Sequence, residues 1–533
     1  MQYTHEIKNY PISFYGGKSL MMKIGILELL SEDANPSWKK MPHDWFVVKQ
    51  YASIMPQAVS VWCRNLGHKV FYATYYGQKD PAGLLPDDLD VVFFSCFSRG
   101  SALAYALSKW FKKKAPGILT VLGGPHAKQF SVDASRFFDV VIKACDQILI
   151  KEILSDRPRN CIVTTDRKLK DIPTIAERLS EIQIASFWNK KPSRFAFIPI
   201  LSSTGCPYSC DFCVDWDNPY HPLPLERVKA DLIFAATHFP QININFYDPN
   251  FGVQFDQIMS IIEDIPHPRD RWFLTEGSLD SLTVQRLKRM KDAGCLCVIP
   301  GIESWHAYSK KAGVMKADSA WEKLEEIVAH FEILHEYIPI IQANLLFGLD
   351  SDRGDDPVRL NKAFMTRTPY VSHSLNIPAP FGETPMFRRY LKNNRILTTL
   401  PFTFYCKPYL ATTIKHYHPI DFYEKLIETF MHMTSFAQQF QAVKHTKSWI
   451  FKGYHPIRNI SLALMLRMMK TILEQLKTDA GFLAFHEGTS KVLPEYYHHQ
   501  YEALLGPYKT LVSRKDRTPV IDISQIEFKE TGT

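Results

Sequence analysis

The chain has 533 residues, 46% hydrophobic and 22% charged, an ordinary globular composition that is too long for one core and predicts two to four domains. Its net charge of +8 is mild for this length and calls for neither nucleic acid nor another acidic partner. No run approaches eighteen uninterrupted apolar residues, so no membrane span is expected. The opening Met1-Gln2-Tyr3-Thr4-His5-Glu6 lacks the basic and apolar blocks of a signal peptide, and a cytoplasmic chain with reduced thiols is expected.

Residues 1–21 read as an extension. From 22 to 155, short apolar runs alternate with helical stretches. Strands are predicted at 23–27, 69–74, 90–95, 119–122 and 139–142, and helices at 51–66, 102–113 and 147–154. That alternation predicts a parallel sheet covered on both faces, a Rossmann-like (flavodoxin-like) α/β domain. Ligands of such sheets bind at the carboxyl ends of the strands. Two loops stand out there: Ser95-Cys96-Phe97-Ser98-Arg99-Gly100, and Gly123-Gly124-Pro125-His126-Ala127, whose paired glycines let a ligand approach the backbone. Residues 156–192 read as a linker with one short helix at 175–184.

From 193 to 400 the alternation resumes with longer helices. Strands are expected at 195–201, 242–247, 271–274, 296–299, 340–346 and 372–377. Helices are expected at 225–238, 253–265, 282–293, 318–336 (with Asp318 as N-cap) and 357–364. Six strand–helix repeats predict a second α/β unit. Cys206, Cys210 and Cys213 follow its first strand, at the face where α/β barrels carry active-site residues. Three thiolates on one short loop can hold three irons of a 4Fe–4S cubane and leave the fourth iron open, as a catalytic site requires. A zinc site would need a second pair of ligands, which does not follow, and a disulfide does not suit a cytosolic chain. The other seven cysteines show no metal spacing, and Cys295 and Cys297 read as core thiols on one face of a strand.

The C-x3-C-x2-C spacing, with Gly205 before it and Phe212 within it, resembles the radical S-adenosylmethionine (SAM) superfamily. Residues 22–390 as a whole resemble its cobalamin-binding class. The resemblance implies that the second unit is a partial (β/α)6 barrel. It implies that Cys206, Cys210 and Cys213 are cluster ligands and that SAM binds the open iron and is cleaved to a 5′-deoxyadenosyl radical. It implies SAM contacts at Phe212, Asp248, Glu276, Ser278, Gly301, Glu303 and Asn344, each near a strand end. Carboxylates suit the ammonium and ribose hydroxyls of SAM, and glycines let adenine lie on the backbone. Taken singly, Glu276 could be a surface carboxylate and Glu303 a helix cap. In the first domain the resemblance implies that Ser95, Cys96, Ser98, Gly123, Gly124 and His126 face cobalamin. No protein histidine would ligate cobalt, because the D-x-H-x-x-G motif is absent. Lys143-Ala144-Cys145-Asp146-Gln147 stands where many relatives carry a Gly-Glu-Gly-Glu turn, and a docking domain without ligand is the alternative there. The implied reaction is methylation of an unreactive carbon of a small, natural-product-like substrate, with a flavodoxin- or ferredoxin-type reductant. Oxidative cyclisation or rearrangement without methyl transfer is the alternative, and a non-catalytic scaffold is a third.

Residues 401–533 read as mainly helical, at 421–440 and 460–477. Leu462, Met465, Leu466, Met469, Leu473 and Leu476 form a stripe that reads as core, with an apolar substrate wall or a membrane-surface face as the lesser reading. His498 and His499 read as surface, and Thr510 onward as a frayed polar tail.

Overall fold

Six parallel strands build the first sheet: β1 (Lys23–Leu29), β2 (Lys69–Tyr75), β3 (Val91–Cys96), β4 (Leu119–Gly123), β5 (Val140–Ile142) and β6 (Cys161–Val163). They are drawn from a computed structural model that describes residues 21–35, 48–169, 171–193, 196–267, 269–306, 310–312, 317–447 and 449–523; the extension before Met21 lies outside these. The strand order is β2-β1-β3-β4-β5-β6, the flavodoxin-like order with one strand added. β3 and β4 are buried along almost their whole length, which is why they read as continuous apolar runs. The order reverses between β1 and β3, so the carboxyl ends of β1, β3 and β4 flank the crevice where such folds bind ligands. β6 was not expected: its three residues fall in the segment read as linker, too short for a periodicity signal.

The second sheet is also all parallel. Its strands are β7 (Phe197–Ile200), β10 (Asn243–Phe246), β11 (Phe273–Ser278), β12 (Cys295–Glu303), β13 (Ile340–Leu346) and β14 (Val371–Asn376), ordered β14-β13-β12-β11-β10-β7. A two-stranded antiparallel piece, β8 (Ser203–Thr204) with β9 (His221–Pro222), closes the loop after β7. Helices separate consecutive long strands, among them Leu225–His238, Phe255–Glu263, Val284–Asp292, Ala320–Tyr337 and Asp356–Arg367, so the barrel is the six-fold partial one expected. The helix expected over 318–336 with Asp318 as N-cap is Ala320–Tyr337, and its cap falls one residue later, on Ser319, whose side chain accepts from the Glu322 N–H. Glu322 reaches back to the Asp318 N–H, a capping box displaced by one position. Cys295 and Cys297 are both buried but do not share one environment. The β11–β12 register shifts between Phe273 and Leu274, so Cys295 joins the main core while Cys297 packs with Leu274, Leu296, Ile299 and Ile340 in a small separate cluster.

An open barrel leaves two sheet edges with unpaired backbone groups. At β7 the Phe197 N–H donates to Gln50 Oε1 (3.0 Å) from the first domain, and Arg178 reaches the Pro199 carbonyl. At β14 the carbonyls of His373 and Leu375 face away from β13 and accept from Arg458 and from Lys407 (3.1 Å for the latter), both of the C-terminal region. The neighbouring parts of the chain therefore satisfy both edges. Arg178, buried in the linker, also donates to the Pro173 carbonyl (2.7 Å) and to Gln57 Oε1 (2.7 Å), while Asp231 of the barrel accepts from the Ile175 N–H (2.6 Å).

The helix read as 421–440 is two helices, Pro419–Thr434 and Phe436–His445, with Ser435 capping the second. In helix Trp449–Thr478, Met469 and Leu476 are buried and Leu462, Met465, Leu466 and Leu473 pack against the core, as the stripe reading required. The tail is not frayed through Ile523. Lys109 donates to Asp516 (2.7 Å), the Val520 N–H donates to Asp133 (2.8 Å) and Arg517 is buried. Among the described residues no helix is long and apolar enough to cross a membrane. Replacing Arg178 by Met should leave Asp231 without its nearest buried cation and lower the urea midpoint, by about 2–4 kcal/mol in stability. Chemical denaturation followed by circular dichroism measures it, and an unchanged midpoint would remove Arg178 as a keystone.

Candidate active site

The cysteine loop leaves the end of β7 through a fixed gate. The buried Asp248 carboxylate, just beyond β10, accepts from the Ser202 N–H (3.1 Å), Ser202 Oγ (2.6 Å) and Ser203 Oγ (2.6 Å). Burial pushes its pKa up, and donations from Ser202 and Ser203 pull it back. Asp248 was expected to touch SAM; its lone pairs are instead taken up by the loop. Gly205 follows with φ +69°, and a Cβ there would stand 2.3 Å from the Pro219 carbonyl oxygen, so only glycine makes this turn. The Cys206 N–H then donates to the Asn218 carbonyl (3.0 Å) and the Cys213 N–H to that of Cys210 (3.0 Å). All three thiols are free and half-buried. Burial pushes the Cys210 and Cys213 thiols up, and Lys311 draws both back toward ionisation.

The described residues hold no group that could share a single metal ion. In a cubane each thiolate takes its own iron, so the sulfurs stand apart, and three free thiols on one closed loop are the donor set such a cluster needs. Phe212 packs its ring against the core beside them.

Lys311 is the residue the sequence reading missed. Its ammonium lies 3.4 Å from Glu303 and within electrostatic reach of all three thiols. Burial pulls its pKa down, but Glu303 first and then the thiols outweigh that, so it stays charged. Glu303 has φ +67°, a strained position for a non-glycine residue, and its carboxylate folds back over Gly301, where a Cβ would lie 2.4 Å from Oε1. Glu276 projects into the open interior of the barrel, where solvent reaches it; the surrounding protein still raises its pKa, with Lys311 opposing. Ser278, Gly301 and Asn344 stand side by side in register across β11, β12 and β13. Asn344 is half-buried and accepts from Gln342 (3.1 Å). Ser278 is buried, with its Oγ accepting from Asn250 Nδ2 (3.3 Å), so it positions the Asn250 turn. Tyr208, also missed, ties the cysteine loop to Asp280 (2.8 Å).

The first domain reaches this loop directly. Lys128, on the helix Gly124–Gln129, donates to the Val214 carbonyl (2.8 Å) and pairs with Asp217 (3.1 Å). Gly123 and Gly124 lie at the open end of β4, where Gly124 (φ +84°) passes so close to β3 that a Cβ would meet Ser95 Oγ at 2.7 Å. Ser95 is half-buried beside it. Three neighbours do not face the crevice. Cys96 is buried and its thiol is pushed up to about 12. Ser98 and His126 are buried together: His126 lies 2.7 Å from Tyr105 Oη and 3.1 Å from Ser98 Oγ, packed by Phe130 and Phe402. Burial lowers the His126 pKa to about 3, so it is a neutral core histidine. The side chain of this loop that opens outward is Phe97.

No family model matches the chain. It is 22% identical over 405 residues to the bacteriochlorophyllide d C-8(2)-methyltransferase of Chlorobaculum tepidum, covering 73% of this chain and 86% of that enzyme. It is 23% identical over 336 residues to the bacteriochlorophyllide d C-12(1)-methyltransferase of the same organism, covering 61% and 71%. The radical SAM methyltransferase TsrM of Kitasatospora setae, solved with cobalamin and a 4Fe–4S cluster, aligns at a TM-score of 0.49 and 15% identity over 70% of this chain and 78% of that one.

The His126 pKa lies below the ordinary 6.5, so the unfolded chain takes up a proton that the folded chain refuses. Stability should therefore be full above pH 6.5 and fall as pH drops below it, by about 1.4 kcal/mol per pH unit for this histidine. Urea midpoints of the wild type and His126→Gln between neutral pH and pH 5 test this. The variant's slope should be shallower by that amount, and parallel slopes would contradict it.

Proposed function

We propose that this homologue of the cobalamin-binding radical SAM methyltransferases is itself such an enzyme and methylates an unactivated carbon of a small-molecule substrate. The observation that carries the reading is the pairing of two features. Three free thiols sit on one closed loop at the carboxyl ends of the barrel strands, and Lys128 joins that loop to the helix that begins at Gly124. Sites in both fold types lie at that end of the strands.

Cys206, Cys210 and Cys213 would each hold one iron and leave the fourth open to SAM. When bound, the cluster supplies an electron for reductive cleavage of SAM, and cobalamin supplies a transferable methyl group. Asp248 and Gly205 set where the thiols stand. Lys311 places a permanent positive charge among three thiolates and two carboxylates, which lowers their mutual repulsion. Glu276 and Glu303 offer carboxylates to the ammonium or ribose hydroxyls of SAM, and Asn344 offers an amide at the same level. Gly124 keeps the ends of β3 and β4 bare, so that a broad macrocycle could lie against backbone. A flavodoxin- or ferredoxin-type protein would deliver the electron.

The experiment is anaerobic reconstitution with iron, sulfide and hydroxocobalamin, then desalting and incubation with SAM under reducing conditions. The corrin spectrum should be retained and 5′-deoxyadenosine should accumulate; in Cys210→Ala the nucleoside should fall to background. Cleavage without retained corrin would overturn methyl transfer by this route. Neither cleavage nor iron in the wild type would overturn the whole reading.

A further inference from the structure

We infer that helices Phe436–His445 and Trp449–Thr478 form a face that docks on an anionic membrane surface. From Thr429 to Leu473 the sequence contains no Asp or Glu. The same stretch carries Lys444, Lys447, Lys452, Arg458, Arg467 and Lys470. All of these but Arg458 are exposed.

Large apolar side chains are exposed in this stretch as well. Phe436 is 87% and Phe440 57% exposed, one helical turn apart, with their rings stacked at 6.4 Å. Ile457, Ile460, Leu464 and Met468 follow on the longer helix, with Ile460 at 65% and Leu464 at 51% exposure. Their spacing of three, four and four residues places them on one stripe. The stripe that packs on the core, Leu462 to Leu476, is a different one. The long helix therefore has a second apolar face that the fold does not use.

Exposed apolar side chains and exposed cations on a segment that itself carries no carboxylate match the interface of a bilayer that carries anionic headgroups. A second copy of the chain fits less well. A two-fold interface would set this basic face against itself, with like charges opposed and no acidic residue from the segment to offset them. Nucleic acid would use the cations but has no use for the aliphatic stripe. The face lies outside the cysteine loop and the crevice, so docking would leave both in place.

The test is flotation of the full-length protein with vesicles of phosphatidylcholine alone or mixed with phosphatidylglycerol. The protein should float with the mixed vesicles and stay behind with the neutral ones, and added salt should weaken the association. Lys444→Ser with Lys452→Ser should weaken binding about tenfold or more. Phe436→Ser with Phe440→Ser, and separately Ile460→Asp, should each abolish flotation while circular dichroism and iron content stay as in the wild type. No flotation with either vesicle, or equal flotation with both, overturns the inference. So does a solution dimer that Ile460→Asp dissociates without any vesicle binding.

Discussion

One buried carboxylate decides where the chemistry can happen. Asp248 sits beyond the end of β10 and accepts four hydrogen bonds from the two serines that open the cysteine loop. A carboxylate in that position is costly to bury unless its lone pairs are filled, and the loop is what fills them. The register of the β7–β10 pair thus becomes the starting coordinate of Cys206, and the Gly205 turn does the rest. Cys210 and Cys213 follow on the same loop, where the Cys213 N–H donates to the Cys210 carbonyl, and Lys128 of the first domain meets it at the Val214 carbonyl.

The wider architecture keeps this arrangement from drifting. A six-stranded partial barrel is an incomplete object, with one bare edge at β7 and one at β14. The first domain and linker supply Gln50 and Arg178 to the first edge, and the C-terminal region supplies Lys407 and Arg458 to the second. At the carboxyl ends of the strands the two sheets are joined directly, by Lys128 to Val214 and Asp217. The Lys143–Glu383 ion pair (2.6 Å) spans the same junction from the turn after β5. The residues that stand where relatives carry Gly-Glu-Gly-Glu thus help dock the two domains.

Much of this was legible in the sequence because it is written in local periodicity. The limits of β13 match the expected 340–346, and the helix Leu225–His238 matches 225–238, since each is a clean pattern of its own period. The cysteine loop was legible for another reason: three nucleophilic side chains at fixed short spacing are rare by chance. Which way a side chain faces was much less legible. His126 and Ser98 sit in a ligand-like motif, yet Tyr105, more than twenty positions away in sequence from His126, draws the histidine into the core. Asp248 and Ser278 sit in motifs that resemble ligand contacts, yet each also holds a partner from a neighbouring loop, Ser202 for Asp248 and Asn250 for Ser278. Lys311 gave no local signal, because its partners Glu303, Glu276 and the three thiols come from three strand ends that meet only in the fold. β6 was missed because three residues carry no usable period, and the packed tail because it borrows its partners, Lys109 and Asp133, from the first domain.

The central claim is spatial, so the most direct measurement is spatial. Crystals of the anaerobically reconstituted protein should be measured at the iron and cobalt absorption edges. The account predicts one iron peak enclosed by Cys206, Cys210 and Cys213, and one cobalt peak between the Gly123–Gly124 turn and the mouth of the barrel. Iron bound elsewhere, or cobalt absent from that crevice while iron fills the loop, would contradict it.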